Sequence, residues 1–223
     1  MMGRVLSRFV FLVLTAFLLT ACGGGTGDAS TETTGTTGIQ RVASVTLTTG
    51  ADTLTADGNA STPVLLSATV KDTDDTGISG LTVIFSATLG DLSATSAVTD
   101  IDGVATVTLQ SPTSIGEAEV KASTGGVFSL PKSIVMIAGA ASTVSISAAP
   151  SVIKPGETTR ITATIKDINE NVVADENVTF VIVSTVNSGS LVELSGLTDS
   201  NGQVSVSYTA GSADVEDIVV ARA

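Results

Sequence analysis

Few residues in this 223-residue chain could do chemistry, and their spacing decides which chemistry is open. One cysteine, Cys22, stands in "LLTACGGGTGD" between an apolar run and a glycine-rich stretch, with no second cysteine to form a disulfide. Histidine is absent, so the commonest general base and the commonest metal ligand are both missing. Oxygen ligands cluster at Asp72, Asp74 and Asp75, and again in Asp100-Ile101-Asp102-Gly103, which Asp199-Ser200-Asn201-Gly202 repeats. A calcium loop needs more oxygens at fixed positions and a late glutamate, and neither of the repeated runs supplies them. Aspartate or asparagine followed by glycine between two strands is what a tight turn demands, so both are read as turns. Asp72, Asp74 and Asp75 are kept as the candidates for a weak surface calcium site, and no cofactor is expected. Ser129 to Lys132 and Ser151 to Lys154 have the S-x-x-K spacing of an acylated serine nucleophile. The companion S-D-N and K-T-G runs are missing, and both pairs fall in strand or linker segments without the helix such a nucleophile needs, so the chain is read as non-enzymatic.

Composition sets the frame around these residues. Hydrophobic residues make up 43% of the chain, enough for a packed core, while aromatic residues are 3% and tryptophan is absent. Valine, threonine, serine, alanine and glycine dominate, which is strand and turn material. The formal net charge of -12 repels nucleic acid and anionic lipid headgroups, so nucleic acid is not expected as a partner. The acids are scattered through turn segments and are read as a solvated surface.

Residues 1–21 have a short basic start at Arg4 and Arg8, then "FVFLVLTAFLL", then small residues. This is the layout of a secretory signal peptide, and the run is too short to span a bilayer comfortably. The "LTAC" at Leu19 to Cys22 resembles the lipobox of bacterial lipoproteins. That resemblance implies cleavage before Cys22, acylation of the new terminus and anchoring in a membrane. In a diderm host, Gly23 in place of an aspartate implies the outer membrane, on either its periplasmic or its surface face. Residues 22–40 lack apolar periodicity and read as a flexible tether, with a coil dimension of roughly 20–25 Å.

The remainder repeats itself. "ATVKDTDDTGISGLTVIF" is matched by "ATIKDINENVVADENVTF", "TDIDGVATVTL" by "TDSNGQVSVSY", and the opening "ASVTLTTG" by "STVSISAAP". Matched blocks in one order imply two copies of one fold, residues 41–140 and 141–223. Alternation places the blocks on half-buried strands: Ile161, Ala163 and Ile165 on one face, Arg160, Thr162, Thr164 and Lys166 on the other. Short turn-forming gaps leave no room for crossover helices, and the fold class is all-β, two tandem antiparallel β-sandwiches of immunoglobulin type.

The run from "LTADGNAST" through "ATVKD" and "GLTVIFSATLGDLSATSAVTDIDGVATVTLQSPTSIGEAEVKA" is similar to a group 1 bacterial immunoglobulin-like domain, the repeat of invasin and intimin. The resemblance implies extracellular modules strung along bacterial surfaces, without catalysis. It leads to a structural or adhesion-type protein of the cell envelope, with a calcium- or polysaccharide-binding module as the alternative. The second copy ends at "DIVVARA", where the first continues into "KSIVMIAGA", so its last strand is expected to be missing. A protein partner is expected on that strand edge or on the loops. "IAGAAST" is the junction, short enough to predict an end-to-end arrangement with limited bending.

Overall fold

In a computed structural model of the chain, residues 41–59, 62–183, 189–212 and 216–223 are described. Residues 1–40, with the expected signal peptide, Cys22 and the expected tether, lie outside them. The first repeat forms β1 (Ser44–Thr49), β2 (Thr53–Thr55), β3 (Val64–Lys71), β4 (Thr82–Ala87), β5 (Asp91–Leu92), β6 (Ser96–Val98), β7 (Val104–Gln110), β8 (Gly116–Thr124), β9 (Val127–Phe128) and β10 (Lys132–Ile137). The second forms β11 (Thr143–Ala149), β12 (Thr158–Lys166), β13 (Asn177–Ile182), β14 (Ser190–Leu191), β15 (Ser195–Leu197), β16 (Gln203–Thr209) and β17 (Val219–Arg222). The described residues contain no helix.

In the first sandwich a sheet of order β1-β3-β7-β5 faces one of order β2-β10-β8-β4-β6, with β9 added to β8. Every pairing is antiparallel except that of β10 with β2. Alternation does the sorting that the sequence predicts: Leu66, Ala68 and Val70 of β3, Val83 and Phe85 of β4, and Ala105, Val107 and Leu109 of β7 all point inward and are buried. Without a disulfide, these aliphatic contacts between facing sheets supply the cohesion, about 1.5–3 kcal/mol for each large side chain fully covered.

The second sandwich repeats the register. Val45 of β1 pairs with Val70, and Val144 of β11 pairs with Ile165. Phe85 of β4 pairs with Ala122 of β8, and Phe180 of β13 with Ala221 of β17. One sheet has the order β11-β12-β16-β14, the other only β15-β13-β17. Among the described residues nothing corresponds to β10 or β2 on the outer side of β17. Dependent elements change with it. β2 is held by its parallel pairing with β10, whereas Ser151 to Lys154, at the same place after β11, forms no strand and leaves Val152 86% exposed.

The same threonine pins the same corner of each sandwich. Thr99 Oγ1 donates to Ile78 O at 2.7 Å and accepts from Leu81 N at 2.9 Å, while Thr198 Oγ1 donates to Val173 O at 2.7 Å and accepts from Glu176 N at 2.9 Å. Both hydroxyls are buried and satisfied, so they fix the entry of β4 and β13 without an unpaired group.

The difference between the sandwiches is measurable in side-chain exposure. Val45 and Leu47 are 7% and 2% exposed, but Val144 and Ile146 on the same face of β11 are 40% and 44% exposed. Val45→Ser is therefore expected to lower the stability of its sandwich by about 2 kcal/mol, and Val144→Ser by less than about 1 kcal/mol. Calorimetric unfolding of the two variants checks this, and equal losses would contradict it.

Candidate functional site

The loops singled out by the sequence are built around one device. Asp72 Oδ1 accepts the backbone N–H of Asp74 at 2.9 Å and of Thr76 at 3.0 Å, closing the loop after β3. Asp75 has a positive φ of 63° and receives Lys71 Nζ at 2.9 Å. The three candidate calcium ligands are thus brought into one loop, with Asp72 and Asp75 engaged by donors of the chain itself. Among the described residues no group of three or more acidic, cysteine or histidine side chains is placed to hold a metal ion.

The Asp-Gly turns follow suit. Asp100 Oδ1 accepts from Asp102 N and Val104 N, both at 2.9 Å, and Asp199 Oδ1 from Asn201 N at 2.8 Å and Gln203 N at 3.0 Å. The bonds from Gln203 and Asn201 hold the Asp199 carboxyl below its usual pKa. Gly103 has φ 78°, and a Cβ there would lie 2.5 Å from Val70 O, so the turn requires glycine twice over. Of the serine and lysine pairs, Ser129 is buried and its Oγ accepts from Ala122 N at 3.0 Å. Ser151 and Lys154 lie in the irregular stretch before β12.

The polar cluster that the sequence did not flag joins the two sandwiches. Asp167, the counterpart of Asp72, is only 1% exposed, against the expectation that the acids are solvated. Its Oδ1 accepts from Asn169 N and Asn171 N, both at 2.9 Å. Its Oδ2 accepts from Asn171 Nδ2 at 2.9 Å and from Gly139 N, in the connecting segment, at 3.0 Å. The two asparagines then reach the first sandwich. Asn169 Nδ2 donates to Ala56 O at 3.1 Å, Asn171 Nδ2 to Thr113 O at 2.9 Å, and Ile115 N to Asn171 Oδ1 at 3.2 Å. In the loop of the first repeat these asparagine positions are Asp74 and Thr76, which lack the carboxamide donors. Burial acts to raise the Asp167 pKa, but the bonds from Asn171, Gly139 and Asn169 outweigh it and the carboxyl titrates below its usual value.

A second polar group replaces core residues. Tyr208 and Asp217 occupy the inward positions held in the first sandwich by Leu109 and Ala118, and Thr159 that of Val64. Tyr208 donates its hydroxyl proton to Asp217 Oδ2, which also accepts from Gly189 N at 2.8 Å. Burial, then the bond and the charge of Asp217, push the Tyr208 pKa up to about 12.

The junction yields a prediction with a sign. Asp167→Asn places an amide NH2 against Gly139 N and Asn171 Nδ2, both donors, and is expected to cost about 1–3 kcal/mol. Because the folded pKa of Asp167 is depressed, its contribution is complete above the unfolded value near 3.8 and is lost as pH falls through the folded value. The stability gap between wild type and Asp167→Asn should therefore be constant from neutral pH to about pH 5 and shrink below about pH 4. Urea unfolding across this range tests it; a gap that grows on acidification would refute the assignment.

Residues 44–134 match the bacterial Ig-like domain (group 1) family. No curated protein sequence matches the chain. Among solved structures, the Escherichia coli adhesin FdeC is similar with 22% identity over 83% of this chain and 60% of its own, at a TM-score of 0.67. Yersinia pseudotuberculosis InvD is similar with 22% identity over 80% of this chain and 52% of its own, at a TM-score of 0.58. The chain thus spans between half and two thirds of the length of these structures, and at this identity the likeness speaks for the fold. Residues 44–134 are thus similar to the group 1 bacterial Ig-like domains, and the described residues have an all-β, immunoglobulin-like architecture similar to that of these structures.

Proposed function

We propose that the protein is a non-enzymatic, lipid-anchored structural or adhesion-type component of the bacterial cell envelope, presenting its two immunoglobulin-like sandwiches in tandem beyond a flexible tether. The observation that carries this reading is the junction. A spacer must transmit position from one module to the next, and the Asp167, Asn169 and Asn171 loop supplies bonds to both the connecting segment and the first sandwich. Hydrogen bonds to a charged carboxylate are worth about 1.5–3 kcal/mol each, more than neutral ones, and here they hold the two asparagines in the pose that reaches across. The group 1 family match over residues 44–134 and the architecture shared with FdeC and InvD support the placement at the envelope.

Attachment through Cys22 rests on the "LTAC" sequence and its place after an apolar leader. An acyl chain contributes about 0.8 kcal/mol per buried methylene, so one chain binds marginally and several bind firmly. Cys22→Ser is expected to move the protein from the membrane fraction to the soluble fraction while its unfolding transitions stay unchanged. A Cys22→Ser protein that still sediments with membranes would remove the anchor from this proposal. The tandem arrangement has its own readout: small-angle scattering from residues 41–223 should give an end-to-end particle, and a side-by-side pair would refute it.

A further inference from the structure

The junction has two unlike halves, and each is built from residues that the other repeat lacks. The half that projects is the loop after β12. Asn171 has every polar group of its carboxamide engaged: Nδ2 donates to Thr113 O and to Asp167 Oδ2, both at 2.9 Å, and Oδ1 accepts from Ile115 N at 3.2 Å. Turned over, the same group would set its oxygen against two acceptors and its NH2 against a donor. An aspartate would set an oxygen against both acceptors, and a threonine hydroxyl brings one donor for the two. Asn169 Nδ2 adds a bond to Ala56 O at 3.1 Å. Both asparagines are half-buried, whereas Asp74 and Thr76, at the same places in the first loop, are exposed.

The half that receives belongs to the first sandwich. Its contact groups are main-chain atoms of two loops, Ala56 O after β2, and Thr113 O and Ile115 N between β7 and β8. Main-chain groups select only where the backbone that carries them is held, and Ser111 holds it. Its buried hydroxyl accepts from Asp57 N at 3.1 Å and Gly58 N at 3.3 Å and donates to Thr55 O, so it bonds on both sides of Ala56 from the start of the other loop. Gly58 N also donates to Pro112 O at 3.0 Å. Gly58 has φ 70°, and a Cβ there would lie 2.9 Å from Thr113 Cγ2, so the two loops close on each other at a glycine. In the second repeat Ala210, without a hydroxyl, stands in the place of Ser111.

We propose that this pairing is a selective docking interface: the end of the first sandwich is a socket for a loop bearing two asparagines, and the first repeat's own loop, with Asp74 and Thr76, does not fit it. Asn171 is the specificity-determining residue, and Ser111 positions the socket. An aspartate in the place of Asn169 would set an oxygen against Ala56 O, and opposed acceptors reject more strongly than a missing bond does. The order of the two modules is thereby written into side chains and not into the linker alone. The proposal rests on the tandem reading above and adds to it the chemistry that selects the neighbour.

The test uses the full chain with Cys22→Ser, so that spin labels can be placed on Ser86→Cys and Ser195→Cys, one exposed position in each sandwich. Asn169→Asp with Asn171→Thr gives the second loop the residues with which the first loop already folds, which keeps the loop and removes the contact. The distance distribution between the labels, narrow in the parent, should broaden in this variant. The Ile115 amide should exchange about tenfold faster while the β12 and β13 amides keep their protection. Ser111→Ala, made from the opposite side of the interface, should broaden the distribution in the same way with the second sandwich untouched. Asp74→Asn with Thr76→Asn, in the exposed first loop, should change neither readout. An unchanged narrow distribution and an unchanged Ile115 rate in either interface variant would overturn the proposal. Broadening that comes with loss of β12 protection would assign the asparagines to the fold of their own sandwich and equally overturn it. A broad distribution in the parent would instead remove the tandem reading, and this proposal with it.

Discussion

Everything in these sandwiches depends on one constraint: an inward side chain contributes cohesion only while the facing sheet covers it. With one cysteine, no tryptophan and few aromatic residues, no cross-link and no large ring compensates for a gap. The first sandwich meets the constraint, and its buried core runs without break from Val45 to Met136. The second meets it in its centre, where Ile161, Ala163, Ile165, Val178 and Phe180 are buried, but not along the face of β11. Two repeats with one register thus differ in cohesion because one facing sheet has an added strand where the other has an edge. The irregular segment around Val152 follows from this, since a β2-like strand needs a β10-like neighbour to pair with.

The junction obeys a different rule. An acid can be buried at low cost when every lone pair it brings inside meets a donor. Asp167 has four donors, two on each oxygen, and three of them are backbone or side-chain groups of its own loop. Its counterpart Asp72 makes the same two bonds through Oδ1, so the second repeat did not invent a new loop. In the second loop the other carboxylate oxygen faces the connecting segment, and asparagines, which carry both a donor and an acceptor, stand where the first loop has Asp74 and Thr76. Module-to-module attachment here grows out of local turn chemistry.

That origin explains what the sequence could and could not reveal. Period-two alternation marked the core strands, because burial on one face leaves a pattern in the residues themselves: Leu66, Ala68 and Val70, or Ile161, Ala163 and Ile165. The Asp-Gly turns were legible because a positive φ leaves glycine as the fitting residue. The partial exposure of Val144 and Ile146 was not, since alternation tells which way a side chain points and says nothing of whether a strand waits on the other side. Nor was the burial of Asp167. Its loop reads as solvated turn chemistry in both copies, and only the approach of Gly139, Ala56, Thr113 and Ile115 encloses it. The available signal was the change from Asp74 and Thr76 to Asn169 and Asn171, which exchanges groups poor in donors for carboxamides.

Asp167 and Asp217 both break the pattern of an apolar interior, and their surroundings separate their consequences. Around Asp167 the donors converge from two modules and close the site, so the charge acts as a structural centre. Around Asp217 one carboxylate oxygen receives Tyr208 and Gly189 and the other is buried, while the residue borders a groove of the second sandwich. Tyrosine in the place of Leu109 makes sense only with a partner for its hydroxyl, and an aspartate in the place of Ala118 makes sense only with donors for its charge. The two substitutions support each other, while either alone would leave a polar group stranded in an aliphatic sandwich. A pair of this kind costs cohesion compared with leucine and alanine at the same positions. Thr159 joins it at the same end, its hydroxyl donating to Pro150 O at 2.6 Å, so three polar residues gather around the groove. Their common location at the groove marks that end of the second sandwich as chemically distinct from the first.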